Sequence, residues 1–96
     1  LSSSSAASDV YKRQQLKGAA LNEASLENAK LVGSNLEKAV LEKAVLAYAD
    51  LSGAKLDRAS LVDAELFQTR FDGASLDGAT WVDRKRCRFD SVGECR

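Results

Sequence analysis

A large apolar side chain recurs at every fifth position from Leu16 to Trp81 without a break, and a small residue, most often alanine, stands two positions before nearly every one. A period of five fits neither the 3.6 residues per turn of an α-helix nor the alternation of a flat strand. It fits a solenoid that turns a corner once per repeat and takes one large and one small side chain inside each time. The predicted core ladder consists of Leu16, Leu21, Leu26, Leu31, Leu36, Leu41, Leu46, Leu51, Leu56, Leu61, Leu66, Phe71, Leu76 and Trp81.

The chain of 96 residues is small for a conventional core, but a solenoid avoids that limit because each turn buries its apolar row against its neighbours. The formal net charge of zero divides into −4 over residues 16–83 and +3 over residues 84–96. Neither part has the charge density of a committed nucleic-acid binder, and no apolar run reaches the eighteen residues of a membrane helix. We therefore predict no nucleic-acid partner and no membrane span.

Three segments follow from the repeat. Residues 1–15 carry no repeat and are rich in serine and alanine, so they are predicted to be a disordered leader or a flanking artefact of translation. The sequence begins at Leu1 without an initiator methionine, from which we expect a fragment or a conceptual translation. Residues 16–83 are the repeat domain, and residues 84–96 break its phase, which predicts a short C-terminal cap.

The repeating unit identifies a family. Written as A-[DN]-L-x-x and seen most cleanly at Ala49-Asp50-Leu51-Ser52-Gly53, it resembles the unit of the pentapeptide-repeat proteins. The resemblance covers about two-thirds of the chain. It implies an all-β fold, a right-handed quadrilateral parallel β-helix (a β-solenoid) with four pentapeptides per coil and about three and a half coils here. It also implies that the central leucine and the preceding alanine point inward.

A longer period supports four-sided coils. Gly33, Gly53 and Gly73 lie twenty residues apart, each two positions after an inward residue. A column of glycines predicts a corner that needs permissive backbone angles or a close approach of successive turns.

The cap segment also resembles a closing segment found in some bacterial members of the family. The matching residues are Trp81, Asp83, Cys87, Ser91, Val92, Gly93 and Cys95. Arg84 departs from the pattern because a glycine is expected there, which leaves the geometry of this turn open.

Two cysteines, with no histidine in the chain, cannot complete a tetrahedral zinc site. Cys87 and Cys95 lie in one short loop, so we favour a disulfide that closes the cap and contributes about 2–3 kcal/mol, over two reduced thiols. A disulfide would indicate the periplasm or secretion, and reduced thiols the cytoplasm. No metal or other cofactor is predicted.

The outward columns offer charge and apolar surface. Glu37, Asp57 and Asp77 stack beside Lys38 and Arg58, and we favour a solvated, mutually paired face over a cation site. Apolar side chains at outward positions predict a protein-binding patch, although β-propensity alone also favours such residues in strands. The candidate partner surface consists of Val40, Val45, Tyr48, Val62 and Phe67.

The chain has no histidine to act as a base, no phosphate-binding loop and no activated nucleophile, so we predict that it is not an enzyme. The favoured function is a non-catalytic structural or protein-interaction module with an unknown protein partner. The family resemblance implies an alternative, a DNA mimic that binds a type II topoisomerase (gyrase). Self-association is a further expectation, because only Gln14 and Gln15 stand before Leu16 and the first coil has no recognisable cap.

Overall fold

The computed structural model describes residues 16–96, so the predicted leader at residues 1–15 lies outside the described residues. Within residues 16–96 there is neither a helix nor an extended strand. Each pentapeptide from 16 to 80 instead ends in one residue that makes a β-bridge, and all of them except 66–70 form one tight turn before it. In the turn, the N–H of the small fourth residue donates to the carbonyl of the first, as from Ala39 to Leu36 at 3.0 Å.

Parallel β-bridges join residues that are twenty positions apart, as in the series Ala20–Val40, Val40–Ser60 and Ser60–Thr80. One coil therefore holds four pentapeptides. We name the stacked columns of pentapeptides side 1 (16–20, 36–40, 56–60, 76–80), side 2 (21–25, 41–45, 61–65, 81–85), side 3 (26–30, 46–50, 66–70) and side 4 (31–35, 51–55, 71–75).

Backbone hydrogen bonds connect the coils in a repeated pattern. The first and third residues of a pentapeptide donate to the following coil, as from Leu41 N to Ser60 O at 2.7 Å and from Lys43 N to Val62 O at 2.9 Å. The fifth residue donates to the preceding coil, as from Val45 N to the carbonyl of Ala24 at 2.9 Å. An interior coil thus pairs the first, third and fifth N–H groups of its pentapeptides with its two neighbours.

The third residue of the turn has a positive φ. The permissive angle predicted for the glycine column is confirmed, since Gly33, Gly53 and Gly73 have φ between 68° and 70°. Close approach is not the reason for glycine, because a Cβ built on Gly53 or Gly73 meets nothing within 4 Å. Non-glycine residues adopt the same angle at the third position on sides 1, 2 and 3, for example Lys43 and Tyr48. The repeat imposes this turn, and glycine only makes it less costly.

The core consists of the inward leucines and alanines. The fully buried ladder residues, each at most 2% exposed, are Leu21, Leu26, Leu31, Leu36, Leu41, Leu46, Leu51, Leu56, Leu61 and Leu76. Four further ladder residues pack against this core but are only partly buried, namely Leu16, Leu66, Phe71 and Trp81.

The cap explains part of this difference. After Lys85 the chain reverses, and antiparallel bridges join Thr80 to Arg86 and Ser75 to Val92. Residues 86–96 therefore run back over sides 1 and 4 of the last coil. Side 3 receives no cover from the cap, and its last ladder residue is left half-buried.

The turn that leads into the cap resolves the question raised by Arg84. The N–H of Arg84 donates to the carbonyl of Trp81 at 2.9 Å, and Arg84 has a φ of 69°. An arginine thus adopts the backbone angle for which a glycine was expected. The predicted boundary between residues 83 and 84 falls within this turn.

Candidate interaction surface

The outer wall of side 3 carries two exposed aromatic rings, which we call the aromatic pair. Tyr48 is 52% exposed and Phe67 is 60% exposed. Their ring centroids lie 5.5 Å apart with the planes at 86°, an edge-to-face contact. The coil geometry brings them together, because the third residue of one turn donates its N–H to the second residue of the next coil, here from Tyr48 to Phe67 at 2.8 Å.

The three valines of the candidate partner surface are half-buried and lie on other columns. Val45 bridges Ser25 and Glu65 at the end of side 2, directly before the pentapeptide of Tyr48. Val62 is a second residue on side 2, and Val40 ends side 1. The described geometry therefore places the aromatic pair in contact and spreads the valines around the adjoining walls.

Two exposed apolar residues of the cap were not among the candidates. Phe89 is 81% exposed and Val92 is 49% exposed. The spacing of Cys87 and Phe89 resembles the small-to-large spacing of the ladder, but only the cysteine is buried. No periodic signal in the cap separates an inward residue from an outward one.

The structure joins Cys87 and Cys95 in a disulfide, with their Cα atoms 4.8 Å apart. Ser91 lies buried within the same loop, and its hydroxyl donates to the carbonyl of Arg88 at 2.6 Å. The N–H of Ser91 donates to a carboxylate oxygen of Asp77 at 3.1 Å. The cap is thus closed covalently and anchored to side 1.

Side 1 presents an open groove lined by the predicted acidic and basic columns. Glu37, Asp57 and Asp77 are half-buried there, whereas Lys38 and Arg58 are exposed. The predicted pairing between these columns is wrong. Within residues 16–96 the only ion pairs closer than 4 Å are Arg70–Asp72 at 2.6 Å and Arg96–Glu94 at 3.5 Å.

The acidic side chains bond to hydroxyl and N–H groups instead. The hydroxyl of Ser75 donates to Asp57, and that of Ser60 donates to Glu42 at 2.9 Å, in both cases across eighteen residues. Hydrogen bonding to Asp72 raises the pKa of Arg70. These outward polar groups hold corners and neighbouring coils together.

Two features are absent from the part of the chain that the structure describes. No three histidine, cysteine or acidic side chains within residues 16–96 are placed to hold a metal ion. That part of the chain also contains no helix long and apolar enough to cross a membrane.

The family of pentapeptide repeats matches the chain in eight copies, over residues 15–46 and 44–80. The chain therefore belongs to the pentapeptide-repeat family, as the A-[DN]-L-x-x unit predicted. Membership of this family implies a right-handed β-helix. No curated protein matches the chain.

Among solved structures, the chain is similar to HetL, a pentapeptide repeat protein involved in heterocyst differentiation regulation from the cyanobacterium Nostoc sp. strain PCC 7120. The two are 29% identical with a TM-score of 0.56, over 80% of this chain. The matched part spans only 42% of the HetL chain. The similarity includes the repeat and its stacking, and HetL continues well beyond it.

Proposed function

We propose that this chain is a non-catalytic protein-interaction module, built on a quadrilateral β-helix of about three and a half coils, and that it contacts a protein partner through the aromatic pair. The observation that carries the proposal is the exposure of Tyr48 and Phe67 on a wall whose backbone is hydrogen-bonded from coil to coil. The involvement of HetL in regulation is consistent with such a module.

The physical basis is preorganisation. The two rings contact each other edge to face, and the backbone of Tyr48 is fixed by its bond to Phe67. A partner that buries them therefore loses little side-chain entropy and gains the burial of two large apolar surfaces. Exposed aromatic residues of this kind are common hot spots in protein interfaces.

The experiment compares capture by three forms of the immobilised, oxidised chain: wild type, the double variant Tyr48→Ser/Phe67→Ser, and Phe89→Ser as a control that removes an exposed aromatic ring elsewhere. We expect the wild type and the control to capture the same protein from a source lysate, identified by mass spectrometry, and the double variant to lose it. Unchanged circular dichroism shows that the variants are folded. Equal capture by all three forms refutes the proposed surface.

The DNA-mimic alternative requires a strongly acidic rod. Here the acidic column of side 1 lies beside Lys38 and Arg58, and the cap adds Arg86 and Arg88. This arrangement disfavours a duplex mimic. A gyrase supercoiling assay tests the alternative, since inhibition or quinolone protection by the purified chain would restore it.

The remaining expectations on assembly and compartment stay open to direct measurement. Self-association through the first coil, around Leu16, is tested by sedimentation at high concentration. A Cys87–Cys95 disulfide favours a periplasmic or secreted protein over a cytoplasmic one, and the redox state of the two cysteines in cell extracts tests this assignment.

A further inference from the structure

The last pentapeptide of side 3, residues 66–70, ends the column with an open backbone edge. Three N–H groups that would donate to a following coil have no acceptor within residues 16–96, namely those of Leu66, of Gln68 and of Phe71, the first residue of side 4. The N–H of Thr69 also lacks the usual turn bond to the carbonyl of Leu66. The counterparts of the first three groups one coil earlier all donate to the coil that follows, from Leu46 to Glu65 at 2.9 Å, from Tyr48 to Phe67 at 2.8 Å and from Leu51 to Arg70 at 2.8 Å. The edge therefore lacks the following coil, whose carbonyls would accept these hydrogen bonds.

The same edge exposes apolar surface. Leu66 and Phe71 are half-buried, whereas Leu46 and Leu51 one coil earlier are fully buried. Trp81 covers part of this surface, since its ring centroid lies 5.5 Å from that of Phe71. A row of unpaired donors beside partly exposed apolar side chains is a template for the addition of a strand.

The edge stays attached to the coil beneath it, although residues 66–70 bend without the turn hydrogen bond from the fourth residue to the first. Arg70 forms the usual parallel bridge with Asp50, and the Thr69 hydroxyl donates to the carbonyl of Leu46 at 2.7 Å. The features that natural proteins use to protect edges are weak here. The segment contains no proline, and its one cation, Arg70, is engaged by Asp72 at 2.6 Å.

We propose that an extended segment of a partner protein docks on this edge and supplies the missing hydrogen-bond acceptors over Leu66–Phe71. The hydrogen bonds between the other coils define which groups this partner segment must present. Three carbonyls, at positions i, i+2 and i+5, would accept from Leu66, Gln68 and Phe71. Large apolar side chains at i+1 and i+6 and a small one at i+4 would continue the core. The proposal deepens the interaction function proposed above and rests on it.

The cap decides between a partner segment and a second copy of this chain. Residues 86–96 lie over sides 1 and 4, where Gly78 N donates to Cys87 O at 3.1 Å and Leu76 N to Ser91 O at 2.8 Å. The cap therefore projects beyond the last coil on half of the cross-section. A flat coil of another copy would collide with the cap, whereas the proposed segment needs only the part of the cross-section over Leu66–Phe71, which ends next to Gly93 of the cap.

The test uses a peptide whose sequence is taken from one coil of the solenoid itself. An acetylated, amidated peptide with the sequence of residues 49–56, Ala-Asp-Leu-Ser-Gly-Ala-Lys-Leu, is titrated into the ¹⁵N-labelled, oxidised chain. We expect amide shifts at Leu66, Gln68 and Phe71, with half-saturation at roughly 10⁻⁴–10⁻³ M. Slower hydrogen exchange at the same amides should accompany binding.

The matched control is the same peptide N-methylated at its lysine. In the ladder the fifth residue donates to the preceding coil, so methylation removes the donor to the carbonyl of Thr69 and adds a clash. We expect this peptide to bind about tenfold more weakly. No shifts at millimolar peptide, shifts elsewhere, or equal binding of the methylated peptide would overturn the proposal. A concentration-dependent dimer that perturbs the same three amides would also overturn it, because the occupant would then be a second copy.

This outcome is separable from that of the proposed function. The peptide titration reports on the edge, and the capture experiment reports on the aromatic pair. Binding of the peptide together with unchanged capture by Tyr48→Ser/Phe67→Ser supports docking at the edge and refutes partner binding through the aromatic pair. Loss of capture by that variant without any peptide binding supports partner binding through the aromatic pair and refutes docking at the edge.

Discussion

Leu46 and Leu66 provide a matched test of how far the cap covers the solenoid. Both occupy the first position of a side 3 pentapeptide, one coil apart. Leu46 is 0% exposed, and Leu66 is half-buried because neither a further coil nor the cap lies over it. The same substitution to alanine at the two positions should therefore differ in its effect on the free energy of unfolding.

The magnitude follows from the buried atoms. Leu→Ala removes three carbons, worth about 2.4 kcal/mol at ~0.8 kcal/mol each, and a cavity enclosed by two neighbouring coils adds to this cost. We expect Leu46→Ala to lower the free energy of unfolding by about 3–4 kcal/mol. For Leu66→Ala we expect about 1–2 kcal/mol, because part of the side chain is already in water and no closed cavity forms.

Leu76→Ala is the control for position. Leu76 also lies in the last coil, but the cap covers it and it is 0% exposed. It should cost as much as Leu46→Ala, about 3–4 kcal/mol. The measurement is urea unfolding of the oxidised proteins, followed by circular dichroism at equal concentration. Equal costs for Leu46→Ala and Leu66→Ala would refute the reasoning, since they would mean that the end of side 3 is covered in solution.

Three further outcomes are expected from the cap and the surface. Arg84→Gly should raise the free energy of unfolding by about 0.5–1 kcal/mol, because Arg84 has a φ of 69°, and Lys85→Gly, outside the positive-φ position, should lower it in the same urea titration. Cys95→Ser should lower it by about 2–3 kcal/mol, and a reducing agent should have the same effect on the wild type but none on the variant. Asp72→Asn should leave the urea midpoint unchanged at low and at high salt, because its pair with Arg70 is exposed, and a clear loss would show a structural role for that pair.

The coil was predictable from sequence because its determinants are local. Every pentapeptide from 16 to 80 except 66–70 closes its own turn with a hydrogen bond such as that from Ala39 to Leu36, so the structure of one unit predicts that of the others. The twenty-residue spacing of Gly33, Gly53 and Gly73 then matched the spacing of the β-bridges. Repetition converts a weak local signal into a strong one.

The cap was predictable as a break in phase but not in its path. Its direction depends on antiparallel bridges outside the repeat, from Thr80 to Arg86 and from Ser75 to Val92, and no sequence period predicts them. The pairing predicted between the charged columns is wrong for a related reason. Stacking places unlike charges near one another, but Arg70 bonds within its own corner to Asp72, and the carboxylates take hydroxyl and N–H donors.

The reversal of the cap is also what places the candidate surfaces on the same side. A β-solenoid must cover its terminal edge, and here the disulfide-closed cap covers only sides 1 and 4. Residues 66–71, which are the end of side 3 and the first residue of side 4, consequently keep an open edge directly beside Phe67 of the aromatic pair. A strand bound at this edge would run along the top of the wall that the pair occupies. A partner that uses both surfaces would then gain main-chain hydrogen bonds from the edge and apolar burial from the two rings.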